Sequence, residues 1–230
     1  MVNPVNLIGY PVSPFVRKVR VAFEAKGIAY ELDPVVPYTD RQAVLAVNPA
    51  GTVPVLLPGP DAAPIPESAD IVAWAEAQAP EPALIPAEAA LRARARDLQR
   101  FADTQMAQVF GGMMFGQRVV VPFYFGKATG KEALVARAMT EMAPPLLDAL
   151  AKQLGDAEFA AGAFSVADIA MASWLRGADL AGFRLDVVRW PTVAAWLQRT
   201  YAQPGYASVI ASEDKTEVVR WARHRDGDPA

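Results

Sequence analysis

The chain has 230 residues, 53% apolar and 20% charged, with a formal net charge of −3. This composition excludes a disordered chain and suits one large or two small domains. No cysteine is present and His224 is the sole histidine, which excludes disulfides and a cysteine nucleophile and argues against a Ser–His–Asp triad or a metal site. The acidic excess lies within residues 1–80 and the remainder is balanced, so neither part has the basic surplus of a nucleic-acid binder. Lacking a membrane-length apolar run or a basic-apolar leader, the chain reads as a soluble cytoplasmic protein with no membrane partner.

"NPVNLIGY" reads as a short strand and "SPFVRKVRVAFEAKG" as a helix. Phe15, Val16, Val19, Ala22 and Phe23 fall on one face of that helix, and Gly27 ends it. Arg17, Lys18 and Arg20 are expected to form its solvated side. "IAYELDPVV" is a second strand, and "DRQAVLAVN" a short helix that stops before Pro49. "TVPVLLPG" and "APIPE" form a hairpin, after which "ESADIVAWAEAQA" turns helical around Ile71, Val72, Trp74 and Ala75. The order β-α-β-α-β-β-α predicts a mixed sheet with helices packed on it, over residues 1–80.

The proline-rich stretch "APEPALIPAE" marks a connection, assigned to residues 81–87. Beyond it the strand signal vanishes. Helical periodicity runs through "AALRARARDLQRFADTQMAQVF", "KEALVARAMTEMAPPLLDALAKQLG", "SVADIAMASWLRGADLAG", "WPTVAAWLQRTYAQ" and "SEDKTEVVRWARHR". Residues 88–230 therefore read as an all-helical domain.

Four stretches, "SPFVRKVRVAFEAKGI", "NPAGTVPVL", "PESADIVAWAE" and "FSVADIAMASWL", occur in an order and at intervals that resemble the cytosolic glutathione S-transferase superfamily. The resemblance spans nearly the whole chain and implies a thioredoxin-like α/β domain followed by an all-α one. It also implies glutathione as co-substrate, a small apolar electrophile as partner, a homodimer, and a detoxifying transferase. "SPF" coincides with the cysteine-proline-phenylalanine of the omega-like branch, with serine in place of cysteine. The resemblance thus implies a bacterial serine-type member with an omega/zeta-like N-terminal motif, suited to conjugation or peroxide reduction rather than to mixed-disulfide chemistry.

Ser13 carries two readings that do not exclude each other. It is a good N-cap before Pro14, which suits the first helical position. Its O–H also remains free to donate, beside a helix start that favours an anion. In serine-type members that anion is the glutathione thiolate. A free thiol titrates near 8.5, and lowering it by about two units takes roughly 2.7 kcal/mol. One charge-assisted hydrogen bond and a helix end supply about that much. Tyr10 is the runner-up for this role, since other branches use a tyrosine near this strand end; otherwise it borders the electrophile pocket.

For Val53-Pro54 the resemblance implies a cis peptide bond whose backbone pairs with glutathione as an added strand. Glu67 and Ser68 otherwise open a helix; by resemblance they hold the γ-glutamyl end, and Arg41 the glycyl carboxylate. Arg17 adds positive potential near the thiolate. Ser165 and Asp168 form a capping box with a structural role. Phe15, Phe101, Met106 and Phe110, with Tyr10, are the candidates for the electrophile pocket, since Met and aromatics adapt to apolar ligands. Asp103, on resemblance alone, reaches a partner subunit's glutathione. Two competing functions share this sequence: a transferase-like fold kept for protein interaction, and a glutathione-dependent isomerase.

Overall fold

The computed structural model describes residues 4–127 and 130–225. Three strands form the sheet: β1 (Val5–Ile8), β2 (Tyr30–Asp33) and β3 (Val55–Leu57), in the order β2-β1-β3. β1 pairs in parallel with β2, Val5 opposite Tyr30, and antiparallel with β3, Ile8 opposite Val55. The parallel pair requires a crossover, and α1 (Pro14–Lys26) supplies it. The expected fourth strand is reduced to one bridge between Leu56 and Ile65. Pro64 and Pro66 flank Ile65 and remove the donors that a longer ladder needs. α2 (Arg41–Val47) and α3 (Ser68–Gln78) complete this part of the chain.

α1 begins at Pro14 and ends at Gly27, whose φ of 65° closes the helix in the left-handed conformation. Gly27 N–H donates to Glu24 and Ile28 N–H to Phe23, the pairing of a glycine C-terminal cap. One face of α1, through Val16, Val19 and Phe23, packs with Leu7, Leu56, Ile71 and Ala75 against the sheet and α3. Val21 and Ala22 belong to the larger core that the helical region builds. α1 is therefore covered on both sides, and the expectation of a solvated basic face is overturned. Arg17, Lys18 and Arg20 are all buried; amphipathic spacing marked one apolar face and did not register that later helices cover the other.

The connection after α3 is pinned. Lys26 Nζ donates to Glu76 at 2.9 Å and to the carbonyls of Ala79 and Pro82 at 2.8 Å. Glu76 also accepts from the amides of Leu84 and Ile85. α4 (Ala89–Phe101) then continues into a π-helical segment (Ala102–Val120) and α5 (Val121–Phe125). Next come α6 (Glu132–Arg137), a short π segment (Ala138–Met142), α7 (Ala143–Leu154) and the buried α8 (Val166–Leu180). α9 (Pro191–Tyr201), α10 (Pro204–Glu213) and α11 (Glu217–Arg225) finish the described chain.

The start of α8 has the capping box that "SVAD" implies, with Asp168 wholly buried. Asp168 accepts from the amides of Ala160 and Ser165, from Ser165 Oγ and from Trp196 Nε1, at 2.7–3.0 Å. Burial raises its pKa above the ordinary aspartate value, with these hydrogen bonds opposing the rise. Among the described residues no helix is long and apolar enough to cross a membrane.

Candidate functional site

The topology gathers three segments at one end of the sheet. β1 runs toward Ser13, and β3, antiparallel to it, starts there, so Val53-Pro54 lies beside the exit of β1. β3 leads away, and the bridge at Ile65 brings the chain back, so Glu67 and Ser68 return to the same end. Gly9 allows the exit to be tight, since a Cβ there would lie 2.6 Å from Val16 Cγ2.

Ser13 N–H donates to the Tyr10 carbonyl at 3.0 Å, closing a turn, and the Ser13 carbonyl accepts the first helical bond from Arg17 N–H at 2.8 Å. Ser13 thus occupies the N-cap position with extended backbone, but its hydroxyl makes no capping bond. The reading in which Ser13 caps through its side chain is corrected. The backbone alone starts the helix, and the half-buried hydroxyl borders a cavity of about 500 Å³.

Among the described residues, no side chain that lines this cavity carries a charge. Tyr10, Tyr38, Phe15, Trp174, Phe115 and Phe125 give it aromatic walls, and Phe15 meets Trp174 edge to face at 5.2 Å. The remaining wall comes from Ala107, Gly111, Gly112, Gly116 and Val120 in the π segment. These recur every four or five residues, the period that i→i+5 bonding imposes. Gly111 makes room for Trp174, whose Cζ3 would lie 2.5 Å from an added Cβ, whereas at Gly112 a Cβ would meet nothing within 4 Å.

The candidate pocket residues separate accordingly. Tyr10 and Phe15 line the cavity. Met106 and Phe110 are buried in the core, and Phe101 borders another groove with Leu98, Ala149 and Gln153. The partly helical spacing of Phe101, Met106 and Phe110 suggests a shared pocket face, but Met106 and Phe110 each lie one residue before a wall position, Ala107 and Gly111, and face the core instead. Tyr10 packs edge to face on Tyr38 and Tyr124, at 6.0 and 5.7 Å between ring centres. Its hydroxyl lies beside that of Tyr124 without completing a hydrogen bond, and has no other partner among the described residues. Burial, reinforced by Tyr124, pushes its pKa far above the ordinary tyrosine value, so it stays protonated. Trp221 of α11 packs against Phe123, next to this tyrosine cluster.

The Val53-Pro54 peptide is cis. Val53 precedes the strand ladder, which begins at Val55. Glu67 is exposed and Ser68, the first residue of α3, is buried. Lys18 of α1 lies within reach of the Glu67 charge. Its Nζ donates to Asp103 Oδ2 at 2.6 Å, and the Glu67 charge adds to its stabilisation. Asp103 thus has a partner within its own chain. Arg41 is exposed on α2 and approaches Gly51, in the loop that leads to Val53. Arg17 points into the protein, toward α8 and α10, and not at the cavity.

Residues 7–83 match "Glutathione S-transferase, N-terminal domain" and residues 132–199 match "Glutathione S-transferase, C-terminal domain". The probable glutathione S-transferase BZ2 of Zea mays is 32% identical over 238 aligned positions, which cover 95% of this chain and 94% of that one. The chain belongs to the glutathione S-transferase superfamily. Glutathione S-transferase U7 of Arabidopsis thaliana is 29% identical over 221 residues, covering 96% of this chain and 82% of its own. A solved glutathione S-transferase of Methylobacterium radiotolerans, in complex with glutathione sulfonate, is 28% identical with a TM-score of 0.73 and covers 90% of this chain and 95% of that one.

Within this glutathione S-transferase fold, several cavity residues escaped the sequence reading: Gly111, Gly112, Gly116, Phe125 and Trp174 among them. The signal was present as a run of small and apolar residues spaced at four to five. Trp174 sits, itself buried, in the buried α8 and gave no local sign of facing a cavity.

Proposed function

We propose that this chain is a glutathione-dependent transferase in which the Ser13 hydroxyl stabilises the glutathione thiolate for attack on a small, uncharged electrophile. The observation that carries this reading is the Ser13 side chain itself. It stands at the N-terminus of the 13-residue α1, performs no capping, and borders the uncharged cavity. The hydroxyl donates to the sulfur anion, and the helix end adds favourable potential. Tyr10 is the weaker candidate because its hydroxyl is enclosed beside Tyr124. Val53 offers its backbone to the cysteinyl unit, while Glu67 and the start of α3 take the ammonium and carboxylate of the γ-glutamyl end. Lys18 and Asp103 pair with each other, which leaves Glu67 as the carboxylate for the ammonium. Arg41 meets the glycyl carboxylate. Conjugation and peroxide reduction both start from this thiolate; the uncharged aromatic walls favour conjugation to a neutral aromatic acceptor. Loading wild type and Glu67→Ala or Ser68→Ala on immobilised glutathione tests the cradle: wild type is retained and the variants elute early. A wild type that passes unretained and shows no affinity for glutathione even at millimolar concentration overturns the reading in favour of an interaction protein.

A further inference from the structure

We propose that Arg17, held by Glu213, is a positioning residue that fixes the turn carrying Ser13; the inference rests on the thiolate reading above. Arg17 is completely buried, and its guanidinium makes three bonds. Nε donates to Glu213 Oε1 at 2.7 Å, Nη1 to the Ser173 carbonyl at 2.6 Å, and Nη2 to the Val12 carbonyl at 3.2 Å. That last carbonyl belongs to the peptide that enters Ser13. Arg20, one turn further along α1, donates to the neighbouring Pro11 carbonyl at 3.3 Å and to Ser212 Oγ at 2.9 Å. Two successive carbonyls of the Tyr10–Ser13 turn are thus gripped from behind by arginines of α1. The same guanidinium groups are tied to consecutive residues of α10, Ser212 and Glu213.

The pair is poorly designed for stability alone. Both side chains are shut off from solvent, and burying two ions costs as much as their attraction returns, so apolar residues of similar volume do as well or better. Glu213 Oε2 accepts no hydrogen bond among the described residues, which adds to that cost. Burial opposes the Arg17 charge most strongly, but Glu213 together with Tyr206 and Tyr201 outweighs it and the guanidinium pKa is raised, so the fork stays charged. What it holds is backbone geometry: a displacement of about 1 Å at a reacting group can cost on the order of a hundredfold in rate.

The test compares wild type, Arg17→Lys, the apolar double variant Arg17→Met/Glu213→Leu, and Ser13→Ala. Each is measured for its unfolding midpoint, for kcat and glutathione KM with 1-chloro-2,4-dinitrobenzene, and for the pH titration of bound glutathione by thiolate absorbance. The double variant is expected to keep its midpoint and a glutathione KM within about twofold. Its kcat should fall about tenfold, and the bound thiol should titrate about one unit higher. Arg17→Lys keeps the charge but loses the fork, and should move both readouts in the same direction; it carries the test if the double variant does not fold. A purely structural pair would lower the midpoint and leave the thiol titration of the folded enzyme unmoved, which overturns the proposal. If Ser13→Ala shifts the titration and the Arg17 variants do not, positioning alone fails. If Ser13→Ala itself shifts nothing, the thiolate reading fails and the positioning role fails with it.

Discussion

Lys18 and Asp103 join α1 to the π-helical wall by an ion pair of 2.6 Å, with the lysine side chain 1% exposed and the aspartate 23%. Glu67 at the start of α3 adds its charge to the same ammonium. Two elements that bound the site therefore meet on one buried cation, within the field of a third.

That cation has a pH signature. Burial lowers the Lys18 pKa below its ordinary value of 10.5, against the pull of Asp103 and Glu67. The unfolded chain then holds this proton more tightly than the folded one, so folded stability rises with pH between the lowered pKa and the ordinary one. Lys18→Met removes that rise. In urea unfolding from about pH 8 to about pH 10.5, wild type should gain stability relative to the variant as pH increases. A constant gap between them would contradict the burial cost assigned to Lys18.

The π-helical wall makes a steric prediction. Gly112 lines the cavity and opens onto free space, so Gly112→Leu should fold normally and reduce kcat/KM for a wide aromatic electrophile about tenfold, or roughly 1.4 kcal/mol. Glutathione KM should be unaffected. Gly111→Ala behaves differently because its Cβ would collide with Trp174, and such overpacking costs about 1–3 kcal/mol of stability. Steady-state kinetics and thermal unfolding of the two variants separate these effects. Equal behaviour would mean that the wall is not where the structure puts it.

Asp168 governs the stability of α8 from within its first turn. Replacing it by Ala leaves the buried donors of Ala160, Ser165 and Trp196 without their acceptor. At about 1–3 kcal/mol for each orphaned group, the loss should be on the order of 4 kcal/mol. Chemical unfolding checks the magnitude, and glutathione KM of the folded fraction should not change. A loss below about 1 kcal/mol would show that water replaces the carboxylate.

Much of this was legible in the sequence because the signals are local. Gly27 marked the end of α1, "SVAD" the capping box, and the apolar spacing of α1 its sheet-facing side. The family resemblance supplied what locality could not, including the cis bond at Val53-Pro54. What stayed hidden depends on tertiary context or on an uncommon helical period. Arg17 and Lys18 look solvated until α8, α10 and Asp103 cover them. Phe101, Met106 and Phe110 were drawn to the pocket by their apolar, adaptable side chains, but which positions of this stretch open on the cavity is set by what packs around it. The fourth strand failed at Ile65 because its two proline neighbours limit pairing to a single bridge.

The central claim is that the Ser13 hydroxyl holds the glutathione sulfur as an anion. Ultraviolet titration of glutathione bound to wild type and to Ser13→Ala tests it most directly. The bound thiol should ionise about two units below its free value of about 8.5 in wild type. It should return upward by about one to two units in the variant, with kcat down about ten- to a hundredfold. Superimposable titration curves for the two proteins would contradict the account.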